Sequence, residues 1–322
     1  MKYLASLLFC GILATASARA DQPGVVEVVE PAVQLTLDSA FTSDLTLAQA
    51  TETAPGTEEK VQPDIHYVPT PQELVDQMLQ MAKVTKDDLL YDLGSGDGRL
   101  VITAAKKYGA RGIGIDIDPQ RIAEAQVNAA EAKVEDKVEF RRQDLFKSDF
   151  GDANVITLYL LDTLNRKLRP QLFAQVKPGT RIVSHAFRMG DWEPDAEKTL
   201  KLQSSSYHAY YWMVPANLSG RWKVSGGGEG GAGLPEIVMV EQSFQNITVK
   251  DGEGEVLGDG KVRGNEFTLT IKKGAGGKGE ATFNGKIDGN SIEATGGGKG
   301  GSSWKAEREP GSEKPLDPEP EA

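Results

Sequence analysis

The stretch Tyr91-Asp92-Leu93-Gly94-Ser95-Gly96-Asp97-Gly98-Arg99 limits what this chain can fold into more than any other. The run Leu89-Leu90-Tyr91-Asp92-Leu93 is nearly continuous in its apolar character, which reads as a parallel strand buried on both faces. Gly94, Gly96 and Gly98 then turn the chain into a helix predicted over Arg99 to Tyr108. Glycine adopts positive φ at no steric cost and lets a ligand approach bare backbone, while the following helix start offers free amides. A strand, a glycine turn and a helix in this order form a holder for a nucleotide-like cofactor.

The charges beside the turn say which kind. A dinucleotide prefers G-x-G-x-x-G and gains nothing from acids next to its pyrophosphate. Here the spacing is G-x-G-x-G, with Asp92 before the turn and Asp97 inside it. S-adenosylmethionine (SAM) carries a sulfonium and an ammonium and no phosphate, so carboxylates at this place favour SAM over NAD. A second strand predicted over Arg111 to Asp116 ends in an acid 22 residues after Gly94. That is close to the roughly 20-residue offset at which an acid reaches a ribose hydroxyl pair. Asp118-Pro119 supplies an N-cap and a first-turn proline for a helix over Gln120 to Ala132. A third strand, Lys137 to Arg142, runs into Gln143-Asp144-Leu145-Phe146, an amide and a carboxylate placed to read an adenine amino group. The candidate cofactor contacts are therefore Asp92, Gly94, Gly96, Asp116 with Ile117 beside it, and Asp144 with Leu145 beside it.

In this order and spacing, DLGSGDG, GIDID and QDLF resemble the seven-β-strand SAM-dependent methyltransferases over about Tyr67 to Pro215. Within them, HYVPTPQELVDQML before DLGSGDGRLVITAAK, then VITLYLLDTLNRKLRPQL and DW, resembles the protein-lysine methyltransferases of the ATP-synthase c-subunit and adenine-nucleotide-translocase type. The resemblance implies an α/β fold, a Rossmann-like sheet with helices on both faces, and SAM as cofactor. It also implies a protein lysine side chain as acceptor, and that the segment around Tyr67 and Thr70 folds over the methionine part of SAM. From the residues alone, Thr70 reads as a cap for a helix over Gln72 to Lys83.

The acceptor side is less defined. Ala153 to Leu160 reads as a fourth buried strand, and Leu161 to Asn165 follows its carboxyl end, where open α/β sheets bind ligands. Methyl transfer asks the protein mainly to align the nucleophile and keep it unprotonated, so a desolvated lysine amine needs no dedicated base. Tyr159 is the candidate to orient such an amine, with Asn165 another, and Asp162 reads as the cap of a helix over Thr163 to Gln175. A fifth strand, Thr180 to His185, carries a histidine that reads more readily as a packed residue than as a base. Phe187 to Pro194 reads as a wall of the acceptor channel, with Trp192 either clamping a lysine stem through its ring or plugging the end of the sheet. Lys198 to Gln203 and His208 to Val214 complete seven strands.

The flanks differ in kind. Met1 to Ala20 has Lys2, an apolar run from Leu4 through Ala16, and Ala18-Arg19-Ala20, the three parts of a cleavable secretory signal, which points to an exported, periplasmic protein; an uncleaved membrane anchor is the alternative. The run is too short for an ordinary spanning helix, so no transmembrane helix is expected in the mature chain. The single cysteine, Cys10, lies there, which leaves the mature chain no disulfide and no thiolate metal site; no metal ligand set is expected. Residues 21–63 are acidic and lack periodicity, the composition of a disordered linker, and residues 64–215 hold the methyltransferase-like domain. Over residues 216–309, short strands of alternating polarity separated by glycine-bearing turns predict an antiparallel sandwich or small barrel. Residues 310–322 read as a disordered tail. A net charge of −11 argues against nucleic acid as the main partner. Two functions fit: a SAM-dependent methyltransferase acting on a protein lysine, or a non-catalytic SAM-binding envelope protein whose β-domain grips a partner or a lipid.

Overall fold

The computed structural model describes residues 67–226, 234–272, 280–296 and 302–317. The predicted signal, the acidic linker, most of the two glycine runs near 230 and 300 and the end of the tail lie outside the described residues.

The first half is one mixed sheet. Strands β1 (Leu89–Leu93), β2 (Arg111–Asp116), β3 (Val138–Arg142), β4 (Val155–Leu158), β5 (Arg181–His185), β6 (Ala196–Leu202) and β7 (Ser205–Met213) lie in the order β3-β2-β1-β4-β5-β7-β6. β1 to β5 are parallel; β7 runs antiparallel to β5 and β6. α1 (Gln72–Met81) precedes β1, and α2 (Arg99–Tyr108), α3 (Pro119–Ala132) and α4 (Asp162–Gln175) connect strands. All of β1 is buried. Its pleat sends Leu89, Tyr91 and Leu93 into one cluster with Leu168 and Leu172 of α4, and Leu90 into another with α1 and α2, so helices cover both faces. Asp118 caps α3 as expected, its carboxylate accepting from Gln120 N at 2.8 Å.

The second half is a closed up-and-down barrel of eight antiparallel strands, which decides between the sandwich and the barrel. The strands are β8 (Gly220–Ser225), β9 (Ile237–Ser243), β10 (Asn246–Lys250), β11 (Val256–Arg263), β12 (Glu266–Ile271), β13 (Ala281–Asp288), β14 (Ser291–Gly296) and β15 (Ser302–Arg308). Each pairs with the next, and β15 closes on β8. Phe267, Leu269 and Ile271 alternate inward to meet Phe283, Trp222 and Trp304, as their period of two requires. Gly285 leaves room there: a Cβ on it would lie 2.2 Å from the Phe267 ring. The interior is filled, with a residual cavity of only about 20 Å³.

The tail departs from expectation. Residues 310–317 are fastened to the rest: Asn217 Nδ2 donates to Lys314 O at 2.7 Å, and the Asp317 carboxylate accepts from Arg169 Nε and Nη2 at 2.7 and 3.0 Å. A Pro- and Glu-rich composition signals that a segment has no core of its own. It cannot signal that one carboxylate will be seated in an ion pair on another element.

Candidate functional site

The strand order reverses between β1 and β4, and a crevice opens there at the carboxyl ends of the parallel strands. It is a pocket of about 860 Å³, within the range of small-molecule sites. Tyr67, Thr70, Asp92, Gly94, Asp116, Ile117, Asp144, Leu145 and Tyr159 all line it, so one cleft gathers residues that are up to 92 positions apart in sequence.

At the cofactor end, Gly94, Gly96 and Gly98 have φ of 86°, 53° and 79°, the left-handed region that favours glycine. Gly94 N and Ser95 N donate to Ile115 O at 2.8 and 2.9 Å, tying the turn to β2. Gly96 does not itself line the pocket; its amide donates to Asp116 Oδ2 at 2.8 Å, while Asp116 Oδ1 accepts from Asp118 N at 2.9 Å. A carboxylate has about four lone-pair sites, so Asp116 is fixed in direction and still has two to offer a hydroxyl pair. Ser95 Oγ is buried at the pocket wall with no hydrogen-bond partner, a donor left free for a ligand. The donor set is carboxylate-rich and holds no phosphate cradle, which fits a cationic, phosphate-free cofactor.

Asp92 is 2% exposed and accepts from Thr157 Oγ1 at 2.7 Å. Burial pushes its carboxyl up to about 8, offset in part by the Thr157 bond, with the Asp116 and Asp97 carboxylates raising it further. At neutral pH it keeps its proton until a cation arrives beside it. At the far end, Asp144 Oδ1 accepts from Phe146 N at 3.0 Å and so starts a single 3₁₀ turn, Leu145–Lys147, that sets Leu145 and Phe146 against the cleft.

A clasp closes over the glycine turn. Burial, then the charge and hydrogen bond of Asp97, push the Tyr67 hydroxyl up to about 12, so it stays a donor to that carboxylate. Asp97 pairs with Arg99, whose Nη1 donates to Thr70 O at 2.6 Å, and the Arg121 guanidinium lies 4.8 Å from the Tyr67 ring centroid. The fit is close: a Cβ on Gly96 would stand 2.2 Å from that ring. Asp97, Arg99 and Arg121 were not among the sequence candidates. The G-D-G-R spacing carried the signal, since an acid two residues before an arginine at a helix start can pair with it. Thr70, in turn, does not cap α1. That position falls to Pro71, and the Thr70 hydroxyl instead shares a 3.0 Å bond with His185 Nδ1, because the predicted cap lies one residue too early.

The acceptor end is apolar and aromatic. Tyr159, just beyond β4, stacks on His185 with ring centroids 3.8 Å apart, and on Phe187 at 6.2 Å. His185 is 2% exposed; burial, with His208 nearby, lowers it to about 4, so it is neutral and positions Tyr159 and Thr70. Phe187 N donates to His185 O at 2.8 Å across Ala186, whose φ is 64°. This is a γ-turn with positive φ at its centre, a strained conformation of the kind that gathers at functional sites. It aims Phe187 into the cleft beside Leu160, Leu161 and Leu164.

Of the expected wall, Phe187 to Pro194, only Phe187 lines the pocket. Trp192 is 1% exposed, packed against Phe173, Trp212 and Phe244, with Nε1 donating to Gln245 Oε1 at 3.0 Å. It is a plug, not a clamp: its indole N–H is satisfied inward and its ring has no open face. Asp162 is not the cap of α4; the helix starts at Asp162 itself, which pairs with Arg166. Asn165 is fully buried and holds the loop after β5, donating to Arg188 O at 3.1 Å. Among the described residues no group of His, Cys, Asp and Glu is placed to hold a metal.

A family model for the ANTKMT methyltransferase domain matches residues 92–196. A protein-lysine N-methyltransferase from Saccharolobus islandicus is 40% identical over 154 residues, 47% of this chain and 94% of that protein. The chain belongs to this methyltransferase family. Its cofactor is SAM. The mouse adenine nucleotide translocase lysine N-methyltransferase is 30% identical over 133 residues, 41% of this chain and 57% of that protein, so the methyltransferase spans little more than half of this relative's length. The crystal structure of a protein from Salinibacter ruber, described as an RNA methyltransferase in complex with S-adenosyl-L-homocysteine, is 55% identical, covers 45% of this chain and 93% of that one, and has a TM-score of 0.43. The methyltransferase's barrel lies beyond the residues that the family model matches.

Proposed function

We propose that this methyltransferase transfers a methyl group from SAM to the side-chain amine of a lysine in a protein, in the manner of the adenine-nucleotide-translocase and ATP-synthase c-subunit enzymes. The observation that carries the reading is the division of the cleft, carboxylates at one end and an uncharged aromatic wall at the other. Asp116 and Asp144 are the contacts for the ribose and the adenine, the clasp of Tyr67 and Thr70 covers the methionine part, and Asp92 faces the cationic end. Bound there, SAM supplies a methyl on a sulfonium, transferred in line to a nucleophile.

The acceptor amine must arrive without its proton. The wall of Tyr159, Leu160, Leu161 and Phe187 strips water from an entering lysine and offers it no carboxylate, so the neutral amine is the form favoured there. An amine so held would present its lone pair in line to the methyl that bound SAM would supply, and the proton released from nitrogen would leave to solvent. Tyr159, with its hydroxyl held protonated by burial, orients the nitrogen. The alternative is a SAM-binding protein without transfer chemistry whose barrel grips a partner or a lipid; the barrel's interior, with a cavity of about 20 Å³, has no room for a lipid chain.

The test is transfer of radiolabelled methyl from SAM to poly-L-lysine and, separately, to total RNA. Label on lysine supports the reading; label on RNA alone overturns it. We also propose that the chain is exported after cleavage behind Ala20, on the strength of the tripartite N-terminus. Mass spectrometry of the secreted or periplasmic fraction, with a mature start at Asp21, is the check.

A further inference from the structure

The barrel's interior is filled, and its outer face is laced by cross-strand pairs, among them Lys305 with Glu293 and Lys250 with Glu241. One place on it breaks the pattern. The β9–β10 turn, Phe244-Gln245, is a two-residue hairpin loop with Phe244 at φ 51°, where glycine would be the ordinary choice. The strained side chain is 7% exposed and sits in the core of the sheet, with its ring centroid 5.8 Å from that of Trp192 and 6.0 Å from that of Phe173. Gln245 beside it is 5% exposed and grips both sides of the same loop, accepting from Trp192 Nε1 and donating from Nε2 to Glu193 O at 2.9 Å.

The tail reaches the same loop by another route. Arg169 of α4 stacks over the Phe244 ring at 4.8 Å, donates to Met189 O and to Asp191 Oδ1 at 2.7 and 2.5 Å, and is held in place by Asp317. The loop so gripped, Phe187 to Glu193, starts at the strained γ-turn that carries Phe187 into the cleft.

We propose that the barrel and the tail are the brace of the acceptor wall, with Phe244, Gln245 and Asp317 as positioning residues for methyl transfer. They fix a loop whose strain at Ala186 would otherwise relax and withdraw Phe187, and they touch neither SAM nor acceptor. The inference rests on the reading that a lysine enters past Phe187.

Phe244→Gly is the informative variant, because glycine suits the positive φ and keeps the hairpin while the ring leaves Trp192. Asp317→Asn removes the carboxylate that pairs with Arg169 without touching the barrel. Three readouts on the full chain separate the cases: calorimetric SAM affinity, amide hydrogen exchange over 187–193, and methyl transfer to poly-L-lysine. The brace predicts SAM affinity within twofold of wild type, exchange over 187–193 at least tenfold faster with the barrel strands unchanged, and kcat/KM for poly-L-lysine down about tenfold. Unchanged exchange in both variants overturns it. So does faster exchange throughout the chain with SAM affinity lost in proportion, which would make these residues general stabilisers. If wild type transfers nothing to poly-L-lysine, the lysine reading fails, and the exchange data still decide the brace.

Discussion

The sheet buries its parallel strands on both faces and the barrel buries one alternating face of each strand, and they end with opposite surfaces. The open sheet must stop its parallel strands somewhere, and the stops at β1 and β2 leave the carboxylates Asp92 and Asp116 lining a cleft. The barrel closes β15 on β8, and among its described residues several charged side chains pair across neighbouring strands. Non-glycine residues at positive φ occur in both halves: Ala186 sits at the cleft, Phe244 points out of the barrel into the sheet's core, and Lys83, Lys133 and Gln203 lie in turns away from both.

Substitutions can break this comparison. The largest effect on stability should come from the barrel's core: Trp222→Ala, at a fully buried ring, is expected to cost about 3–5 kcal/mol in denaturant unfolding. SAM affinity should be retained at temperatures where the variant is folded. The largest effect on binding should come from the cleft. Asp116→Ala removes the carboxylate offered to a ribose hydroxyl pair, and loss of two charge-assisted bonds to those hydroxyls at about 1.5–3 kcal/mol each corresponds to a hundredfold or greater loss of SAM affinity by calorimetry, with the fold intact by circular dichroism. Unchanged affinity would remove Asp116 from the site.

A pH experiment sharpens the contrast further. The Asp92 carboxyl is raised from its ordinary value near 3.8 to about 8, so the folded protein holds a proton there that the unfolded chain has released. Raising pH through that interval therefore costs the unliganded protein stability, while SAM affinity should rise as Asp92 ionises toward pH 8. In Asp92→Asn both slopes should flatten and SAM should bind more weakly at pH 8; a wild-type affinity independent of pH would sink the assignment. His185 acts in the opposite sense. Its value is lowered to about 4, so its contribution is present above pH 6.5 and is lost as pH falls toward 4. The smallest effect belongs to the barrel's exterior: Lys305→Ala, at a fully exposed pair, should leave the unfolding midpoint where it is.

Much of this was legible in the sequence because it rests on local rules. The glycine turn, the acid closing β2, the Asp118 cap and the inward set Phe267, Leu269 and Ile271 each follow from period, φ preference or capping within a few residues. Thr70 and Asp162 read as caps, but each lies one residue off the true cap position, and Thr70 is taken by His185, 115 positions away; the choice between clamp and plug at Trp192 falls to Gln245, 53 positions away. A tryptophan beside a predicted cleft gives no sign of which way its ring faces.

The sequence by itself determined the elements, their order and the chemistry of the cofactor end, because strand periodicity, glycine freedom and the placement of acids act over short stretches of chain. Only the tertiary structure decided the rest: that the β-domain closes into a barrel, that Asp317 reaches Arg169 across 148 positions, and that Phe244 leaves its own core for another. Those contacts join segments whose separation carries no periodic signal, and they exist only once both surfaces have formed.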